Sequence, residues 1–364
     1  MNEEIKEVLQ QLIDKGYKAY VVGGYVRDYL MGNKSYDVDI ATDALPNELL
    51  NIYENVHDTT LGGITLVIGN YTFDITTFRE EIKYEGRKPI EFNYIDSIEQ
   101  DVLRRDFTIN SLYMDIEGDI IDLYDGISDI EKKLIKGIGN INDKMIQDPL
   151  RMLRALRFKI ILDFNIEENL LTFIKQNKEL INSLSYHRKK EELTYIVRSK
   201  NAIKGLNYIK ELKLEDVLDI KIPDDLKECD DPIGIWAQLE VSDKYSFTKS
   251  ELNYIESVRK ILEYGIIDNI ILYKYGLYLS RVAGNILNIS IAYISDLYKE
   301  LPIYSDKDID ITGEEIIKLL DIKPGKIITE IYDDLELNIL EDKLKNNKEE
   351  LKKYIIDNWS WYYE

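Results

Sequence analysis

The apolar positions of the first 140 residues predict strands and short helices in alternation. The run KAYVVGG (18–24) predicts a buried strand, and YVRDYLMG (25–32) predicts a short helix closed by its final glycine. Strict alternation in YDVDIAT (36–42) predicts another strand. PNELLNIYENV (46–56) predicts a helix, because proline suits the first helical position. Together these elements indicate an α/β head.

Two longer apolar stretches of the head predict β-hairpins. Residues 64–79 are expected to turn at Gly69-Asn70, and residues 112–126 at Glu117-Gly118. Strands are then expected to stop near residue 140. Beyond that point apolar residues recur at three- and four-residue spacing, as in DPLRMLRALRFKIIL (148–162), which is the periodicity of helices.

The predicted fold class is therefore α+β, with an α/β head followed by an all-helical remainder. The chain has 364 residues, which is too long for one ordinary domain. We expect four parts, namely a head over 1–140, a helical neck over 141–200, a helical body over 201–300 and a helical tail over 301–364.

Composition narrows the classes of function. One cysteine, Cys229, excludes an internal disulfide and a cysteine-based zinc cluster. Two histidines, His57 and His187, argue against a histidine-rich metal site. The first residues are acidic and amphipathic, unlike a targeting peptide, and the sequence has no run of about 18 apolar residues. We therefore expect a cytoplasmic protein that does not bind a membrane.

Charge is distributed unevenly along the chain. The net charge of −21 argues against a general nucleic-acid binder. Residues 149–200 nevertheless hold 11 lysines and arginines against 6 acidic residues. Such a segment is either a solvated helix face or a site for a polyanion, because lysines and arginines along a phosphate backbone carry most of the affinity for nucleic acids.

Two carboxylates stand close together in the second predicted strand. Asp37 and Asp39 are two residues apart, so both side chains are expected on one face, with their Cα atoms about 6.6 Å apart. That spacing lets both reach one divalent cation or a pair of them. Mg²⁺ suits such sparse carboxylate sites, which substrate phosphates complete. A solvent-facing strand is the alternative interpretation.

A diglycine turn and an arginine precede this pair. Gly23-Gly24 follows a strand and precedes a helix, so the backbone can approach a phosphate with no Cβ in the way. Arg27 lies about one helical turn further and can neutralise a phosphate oxygen, whereas Asp28 is expected to be structural. A phosphate turn, an arginine and a metal pair within 17 residues predict a nucleotide site.

The chain resembles the class II CCA-adding tRNA nucleotidyltransferases and the related bacterial poly(A) polymerases. The stretch GGYVRDYLMG with YDVDIATDALP resembles their first motif, and DVLRRDFTINSLYMD (101–115) resembles their RRD motif. QDPLRMLRALRF (147–158) resembles their nucleotide-reading motif. A fainter similarity to their tail lies at 311–331, and we expect the tail over 301–364 to contact tRNA. The resemblance implies a polymerase-β-like nucleotidyltransferase head, Mg²⁺ at the carboxylate pair, and tRNA, CTP and ATP as partners.

The same resemblance assigns further residues to the site. It implies that Arg105 contacts the nucleotide, and that Asp106 and Asn110 organise the sugar or the metal site. It also implies that Arg154 and Arg157, which follow at three-residue steps, bind the nucleotide; their alternative is an exposed surface position. The spacing predicts a stripe of guanidinium groups facing the head.

Asp148 and Arg151 predict a base-reading pair. Asp148 before Pro149 is a helix N-cap, and Arg151 lies three residues on, near the same side of the helix start. A carboxylate beside a guanidinium offers an acceptor next to a donor. Cytosine and adenine present an amino donor beside a ring-nitrogen acceptor, whereas guanine and uracil present the reverse. The pair therefore accepts C and A and rejects G and U.

These motifs predict an enzyme that adds CCA to tRNA. CC-adding, A-adding and poly(A)-polymerase activities of the same family stay open, as does an inactive RNA- or nucleotide-binding protein. Residues 76–94 are similar to the flexible loop of full CCA-adding members, which favours complete addition. The chain departs from the family at Gln147, where an acidic residue is usual, and at His187, where glutamate is common in a motif that braces the reading helix.

Overall fold

The computed structural model describes residues 1–54, 56–59, 62–85 and 88–360. The chain divides into two compact units, Met1–Asp219 and Ile220–Glu364. The finer division into head, neck, body and tail stays a prediction.

The first unit begins with a mixed α/β region, as predicted, and continues with helices. Its strands are β1 (Ala19–Val22), β2 (Asp37–Thr42), β3 (His57–Thr59), β4 (Gly63–Ile68), β5 (Tyr71–Thr77), β6 (Arg79–Glu85), β7 (Lys88–Tyr94), β8 (Tyr113–Met114), β9 (Ile120–Ile121), β10 (Leu134–Ile135) and β11 (Asn165–Ile166). Its helices are α1 (Glu3–Ile13), α2 (Gly24–Leu30), α3 (Pro46–Ile52), α4 (Ile98–Asp101), α5 (Gly126–Glu131), α6 (Ile141–Gln147), α7 (Leu150–Leu162), α8 (Glu168–Gln176), α9 (Tyr186–Val197), α10 (Ala202–Glu211) and α11 (Glu215–Leu218). Short 3₁₀ turns lie at Val102–Arg104, Thr108–Asn110 and Lys178–Ser183.

Seven strands form the main sheet, in the order β3-β4-β5-β2-β1-β8-β9. The pair β2 and β5 is parallel, and the other neighbouring strands are antiparallel. Both predicted hairpins are confirmed, because β4 turns into β5 at Gly69-Asn70 and β8 is joined to β9 through Glu117-Gly118. The predicted helices after Gly24 and at Pro46 are also present.

The sheet packs one face against α1 and α2. Val38 and Ile40 of β2 are fully or almost fully buried in the same apolar cluster as Ile5 and Leu9 of α1. Side chains alternate along a strand, so the residues between these two apolar positions face away from that cluster. This alternation places the two predicted metal-binding aspartates on the other face of the sheet.

The segment that resembles a flexible loop contains regular structure. Strands β6 and β7 pair antiparallel, from Arg79 opposite Tyr94 to Glu85 opposite Lys88. The hairpin follows directly from β5, and its first residue is tied down by the hydrogen bond from the Arg79 N–H to Asp101 Oδ1 (3.2 Å). Residues 86 and 87 of this segment lie outside the described residues.

The prediction that strands stop near residue 140 is wrong. Strand β11 pairs in parallel with β10, and the second unit contains an antiparallel pair, β12 (Ile220–Lys221) and β13 (Glu240–Val241). Each of these strands has only two residues, which is too short to produce an alternating sequence pattern.

Helices make up most of the second unit. They are α12 (Pro232–Gln238), α13 (Lys249–Tyr264), α14 (Asn269–Ile286), α15 (Ile291–Lys299), α16 (Gly313–Leu320), α17 (Lys326–Leu340) and α18 (Lys348–Trp359), with a 3₁₀ turn at Asp306–Asp308. Helix α14 is broken at Gly276, whose φ of 73° and ψ of 172° suit only glycine. No helix among the described residues is long and apolar enough to cross a membrane.

Candidate active site

A cavity of about 900 Å³ lies in the first unit and gathers all the predicted site residues. These are Gly23, Gly24, Arg27, Asp37, Asp39, Arg105, Asp106, Asn110, Asp148, Arg151, Arg154 and Arg157. The cavity is also lined by Asp74, Arg79, Glu81, Arg104, Leu150, Phe158, Ile161, Leu162, Arg188 and Tyr195. The main sheet thus contributes an acidic wall. Eight arginines form the basic wall, and three of them come from helix α7.

The two aspartates of β2 share one strand face, as predicted from their spacing. Asp37 and Asp39 are exposed to the cavity, and Asp39 lies opposite Asp74 of β5 in the parallel register. Asp39 opens onto the cavity, but protein atoms surround its carboxylate on the other sides, and this burial is the main cause that raises its pKa. Arg105 and Arg154 oppose the rise, whereas Asp74 and Asp37 add to it. A cation beside these carboxylates would favour their charged form.

Asp74 of β5 adds a further carboxylate to this wall. It is exposed and accepts a hydrogen bond from Thr65 Oγ1 at 2.5 Å, and it lines the cavity beside Asp39. Within the described ranges, no group of three or more histidine, cysteine, aspartate or glutamate side chains has the geometry of a metal site.

Gly23 brings the backbone against the carboxylate pair. Its φ of 74° and ψ of −135° place it in a region that residues with a side chain rarely adopt. A Cβ at this position would lie 3.0 Å from Asp39 Oδ2 and 3.9 Å from Arg105 Nη1. The glycine is therefore required both by the backbone turn and by the space beside Asp39.

A chain of hydrogen bonds joins the diglycine turn to helix α7. Arg27 Nη1 donates to Asn110 Oδ1 at 2.7 Å, and Asn110 Nδ2 donates to Asp106 Oδ1 at 3.4 Å. Arg154 Nε donates to the other oxygen of Asp106 at 2.7 Å. Burial alone would raise the pKa of Asp106, but Arg154 and the Phe107 N–H lower it to about 2.

The expected role of Asp28 is also visible. Its carboxylate accepts hydrogen bonds from Arg27 Nε and Nη2 at 2.9 and 2.8 Å. This pair fixes the arginine from its own helix, while the bond to Asn110 fixes it from the 3₁₀ turn at Thr108–Asn110. Asp28 therefore supports a site residue.

Asp148 and Arg151, the predicted base-reading pair, lie at the junction between the end of α6 and the start of α7. The Asp148 carboxylate accepts a hydrogen bond from the Leu150 N–H at 3.1 Å, so it caps the helix start as predicted. Arg151 is 8% exposed and donates to two backbone carbonyls, those of Lys144 (3.3 Å) and Arg104 (3.0 Å). Both side chains line the cavity, and a direct pair between them stays a prediction.

The predicted stripe of guanidinium groups facing the head is only partly correct. Arg154 does contact Asp106 of the RRD segment, but Arg157 pairs with Glu192 of α9, with 3.3 Å between Nη1 and Oε2. Three residues advance a helix by less than one full turn, so successive steps of three rotate around its axis. Arg157 has therefore turned toward α9.

Helix α9 braces the reading helix through this contact. Burial raises the pKa of the Glu192 carboxyl, and Arg157 acts against that effect. Ser185 caps the helix start by accepting a hydrogen bond from the Arg188 N–H at 3.4 Å. His187 lies in the first turn with 66% of its side chain exposed, which agrees with a helix-start residue.

Comparison with known proteins places this geometry in a family. Models match for the poly(A) polymerase head domain over residues 19–136, for a segment of polymerase A described as an RNA- and SrmB-binding site over 163–218, and for tRNA nucleotidyltransferase domain 2 over 242–355. The CCA-adding enzyme of Ligilactobacillus salivarius is 32% identical over 384 residues, which cover 94% of this chain and 93% of the relative. The chain belongs to the family of CCA-adding enzymes and poly(A) polymerases.

Solved structures confirm the predicted α+β fold with its polymerase-β-like head. The crystal structure of the Bacillus stearothermophilus CCA-adding enzyme in complex with CTP has a TM-score of 0.88 at 24% identity and covers 98% of both chains. The Thermotoga maritima CCA-adding enzyme complexed with tRNA has a TM-score of 0.70 at 21% identity, and the match covers 98% of this chain and 96% of that one. These two similarities show that the chain shares the fold of those structures.

Asp101 is a residue of the nucleotidyltransferase head that the sequence analysis missed. It is fully buried and accepts hydrogen bonds from Arg104 Nε (2.8 Å), Arg105 Nη2 (3.2 Å) and the Tyr113 hydroxyl (2.8 Å). Burial would raise the pKa of Asp101, but the two arginines hold it below its usual range. The signal was present as an acidic residue three and four positions before two arginines, a spacing that pairs side chains on a helix.

The sequence analysis also missed two cavity residues of strand β6. Arg79 and Glu81 line the cavity and pair with each other, with 2.8 Å between Nη2 and Oε1. Side chains two residues apart on a strand share a face, so the pairing of Arg79 with Glu81 could have been predicted from their spacing. Its position beside the RRD segment depends on how the hairpin packs, which no local pattern specifies.

We predict that Gly23→Ala lowers the rate of nucleotidyl transfer by about 30-fold or more, because the backbone is strained and the new Cβ crowds Asp39. Gly16→Ala is the matched control: Gly16 also has a positive φ, of 88°, but a Cβ there would meet no atom within 4 Å. Steady-state rates and thermal melting of both variants separate the two effects. Equal losses of activity in both variants would show that strain alone matters.

Proposed function

We propose that this chain adds CCA to the 3′ end of tRNA, using CTP and ATP without a nucleic-acid template. The 3′-hydroxyl loses its proton to solvent and attacks the α-phosphate. A new oxygen–phosphorus bond forms, the bond from the α-phosphorus to the α,β-bridging oxygen breaks, and pyrophosphate leaves. The observation that carries the proposal is the convergence of an acidic pair, several arginines and the Asp148–Arg151 segment in one cavity. Membership of the CCA-adding and poly(A) polymerase family supports it.

The acidic wall suits a divalent cation. Asp37 and Asp39 share a strand face, and Asp74 lies opposite Asp39 on the neighbouring strand, so a cation at this wall would meet carboxylates from two strands. We propose Mg²⁺, held by these two side chains and by substrate phosphates, in a two-metal arrangement. When bound, the metal lowers the pKa of the attacking hydroxyl and offsets charge on the departing pyrophosphate.

The basic wall would hold the nucleotide. Gly24 lets the backbone approach a phosphate, and Arg27, Arg105, Arg154 and Arg157 present guanidinium groups to the same cavity. Asp106 and Asn110 are engaged by the arginines in this structure, so we assign them the task of holding those arginines in place.

Base selection would follow from hydrogen-bond donors and acceptors. The Asp148 carboxylate accepts from the amino group of cytosine or adenine, and Arg151 donates to the neighbouring ring nitrogen. Two backbone carbonyls already orient the Arg151 guanidinium, which has five N–H donors and therefore keeps some for a base. Guanine and uracil would leave buried groups unpaired, which is costly.

The tRNA would be bound by shape and charge. Residues 149–200 hold 11 lysines and arginines against 6 acidic residues in a chain with a net charge of −21. We propose that this basic segment binds the phosphates of the acceptor stem, since A-form RNA is recognised mostly through its backbone. The cytoplasmic location stays a prediction.

A set of tRNA substrates tests the proposal. We predict that tRNAs that end before CC, after the first C and after CC are each extended to CCA and then no further, with CTP and ATP but not with GTP or UTP. The products are read at single-nucleotide resolution on a sequencing gel. Unlimited addition of A would instead indicate a poly(A) polymerase, and arrest after CC would indicate a CC-adding enzyme.

A further inference from the structure

Three arginine side chains of the cavity meet at one aromatic ring. The guanidinium carbons of Arg27, Arg154 and Arg157, called here the arginine cluster, lie over the ring of Phe158 at 5.3, 5.6 and 4.5 Å from its centroid. One member comes from α2 and two come from α7. The ring is therefore shared by arginines from two separate helices.

Like charges so close together repel one another, and the repulsion is strong where water is scarce. Each member of the arginine cluster also pairs with a different carboxylate, namely Asp28, Asp106 and Glu192 in the order given above. These carboxylates fix each arginine separately. The face of an aromatic ring attracts cations, so Phe158 adds an interaction that favours all three guanidinium groups at the same place.

The ring of Phe158 is itself held in position. It is 8% exposed and packs edge-to-face with the fully buried Phe107, with 5.8 Å between ring centroids and 85° between planes. The N–H of Phe107 donates to Asp106 Oδ1 at 2.8 Å, so the supporting ring is tied to the carboxylate that binds Arg154. The Phe158 ring, the Phe107 ring that supports it and the charged groups around them therefore form one packed unit.

We propose that Phe158 is a positioning residue that sets the spacing of the arginine cluster for the phosphate tail of the nucleotide. The inference rests on the proposed function, because it assumes that the cavity binds nucleoside triphosphates. Phe158 lies seven residues beyond Arg151, or about 10 Å along the helix, so it acts on the phosphates and leaves base selection unchanged.

The prediction concerns phosphate affinity. In the full-length protein with EDTA present, we expect Phe158→Leu to weaken binding of inorganic tripolyphosphate and of CTP by about tenfold, because each guanidinium loses its contact with the ring. Binding of CMP, which has one phosphate, should change less than about threefold. In steady state, KM for CTP should rise by about tenfold, while kcat and the preference for CTP over UTP stay within about threefold. Isothermal titration calorimetry and initial rates measure these quantities.

Two further variants separate positioning from packing. Phe158→Tyr keeps the ring and should restore tripolyphosphate binding to within about threefold of the original protein. Phe173→Leu is the matched control, since Phe173 is also 8% exposed, lies on α8 and does not line the cavity. Should Phe158→Leu fail to fold, Phe158→Met has a longer, unbranched side chain that adapts to irregular space, lacks the ring and gives the same test.

The possible outcomes distinguish the inference from the proposed function. Unchanged tripolyphosphate binding in Phe158→Leu or Phe158→Met would overturn the positioning role, and so would an equal loss in Phe173→Leu. If the original protein binds neither CTP nor tripolyphosphate, the nucleotide site itself is wrong and the proposed function fails with it. Weakened tripolyphosphate binding with near-normal CMP binding supports the inference.

Discussion

Replacing either Asp37 or Asp39 with asparagine is expected to lower kcat for nucleotide addition by about 1,000-fold or more. Asparagine keeps the size of the side chain but removes the charge that holds a divalent cation. The arginine cluster is untouched, so binding of CTP in the presence of EDTA should stay within about threefold. Single-turnover extension of tRNA measures the rate, and calorimetry measures nucleotide binding.

Asp43→Asn is the control for these two variants. Asp43 follows the same strand, does not line the cavity, and accepts a hydrogen bond from the Lys18 N–H at 2.7 Å, which asparagine can also accept. Its activity should stay within about twofold of the original protein. An active Asp37→Asn or Asp39→Asn variant would contradict the assignment of these carboxylates to the metal.

Replacing both Asp148 and Arg151 with alanine is expected to reduce discrimination against UTP and GTP by about 100-fold. Without the carboxylate and the guanidinium, the cavity no longer leaves a buried polar group unpaired when the wrong base enters. Phosphate binding should persist, because the arginine cluster and Arg105 remain. Competition between CTP and UTP for extension of one tRNA measures the selectivity directly.

Arg188→Ala is the control for the reading pair. Arg188 also lines the cavity, but 48% of its side chain is exposed and it pairs with Glu191 at 2.8 Å. Loss of this exposed pair should leave base selection unchanged. Because Arg151 bonds to the Lys144 and Arg104 carbonyls, thermal melting must show that the double variant is folded. Continued full exclusion of GTP and UTP by a folded variant would disprove this account of base choice.

Local sequence patterns predicted the acidic wall well. Alternation along β2 was sufficient to place Asp37 and Asp39 on one face, because Val38 and Ile40 had to be buried. The diglycine turn was also predictable, since Gly23-Gly24 stands between a predicted strand and a predicted helix. Its closeness to Asp39 appears only in the structure. These features depend on residues within about 20 positions of one another.

Long-range packing explains what the sequence did not reveal. The bond between Arg154 and Asp106 joins residues 48 positions apart, and the pair of Arg157 with Glu192 spans 35. Neither separation has a local signature, so the sequence did not reveal which carboxylates Arg154 and Arg157 contact. The two-residue strands after residue 140 were missed because pairing with a distant segment defines them.

The most direct test of the central claim locates the metal. Crystals of the protein grown with CTP and Mn²⁺ can be examined by anomalous diffraction, in which manganese stands in for magnesium. We predict an anomalous peak about 2.1 Å from carboxylate oxygens of Asp37 and Asp39, next to the triphosphate. A peak elsewhere, or CTP bound with its triphosphate away from both carboxylates, would contradict the account.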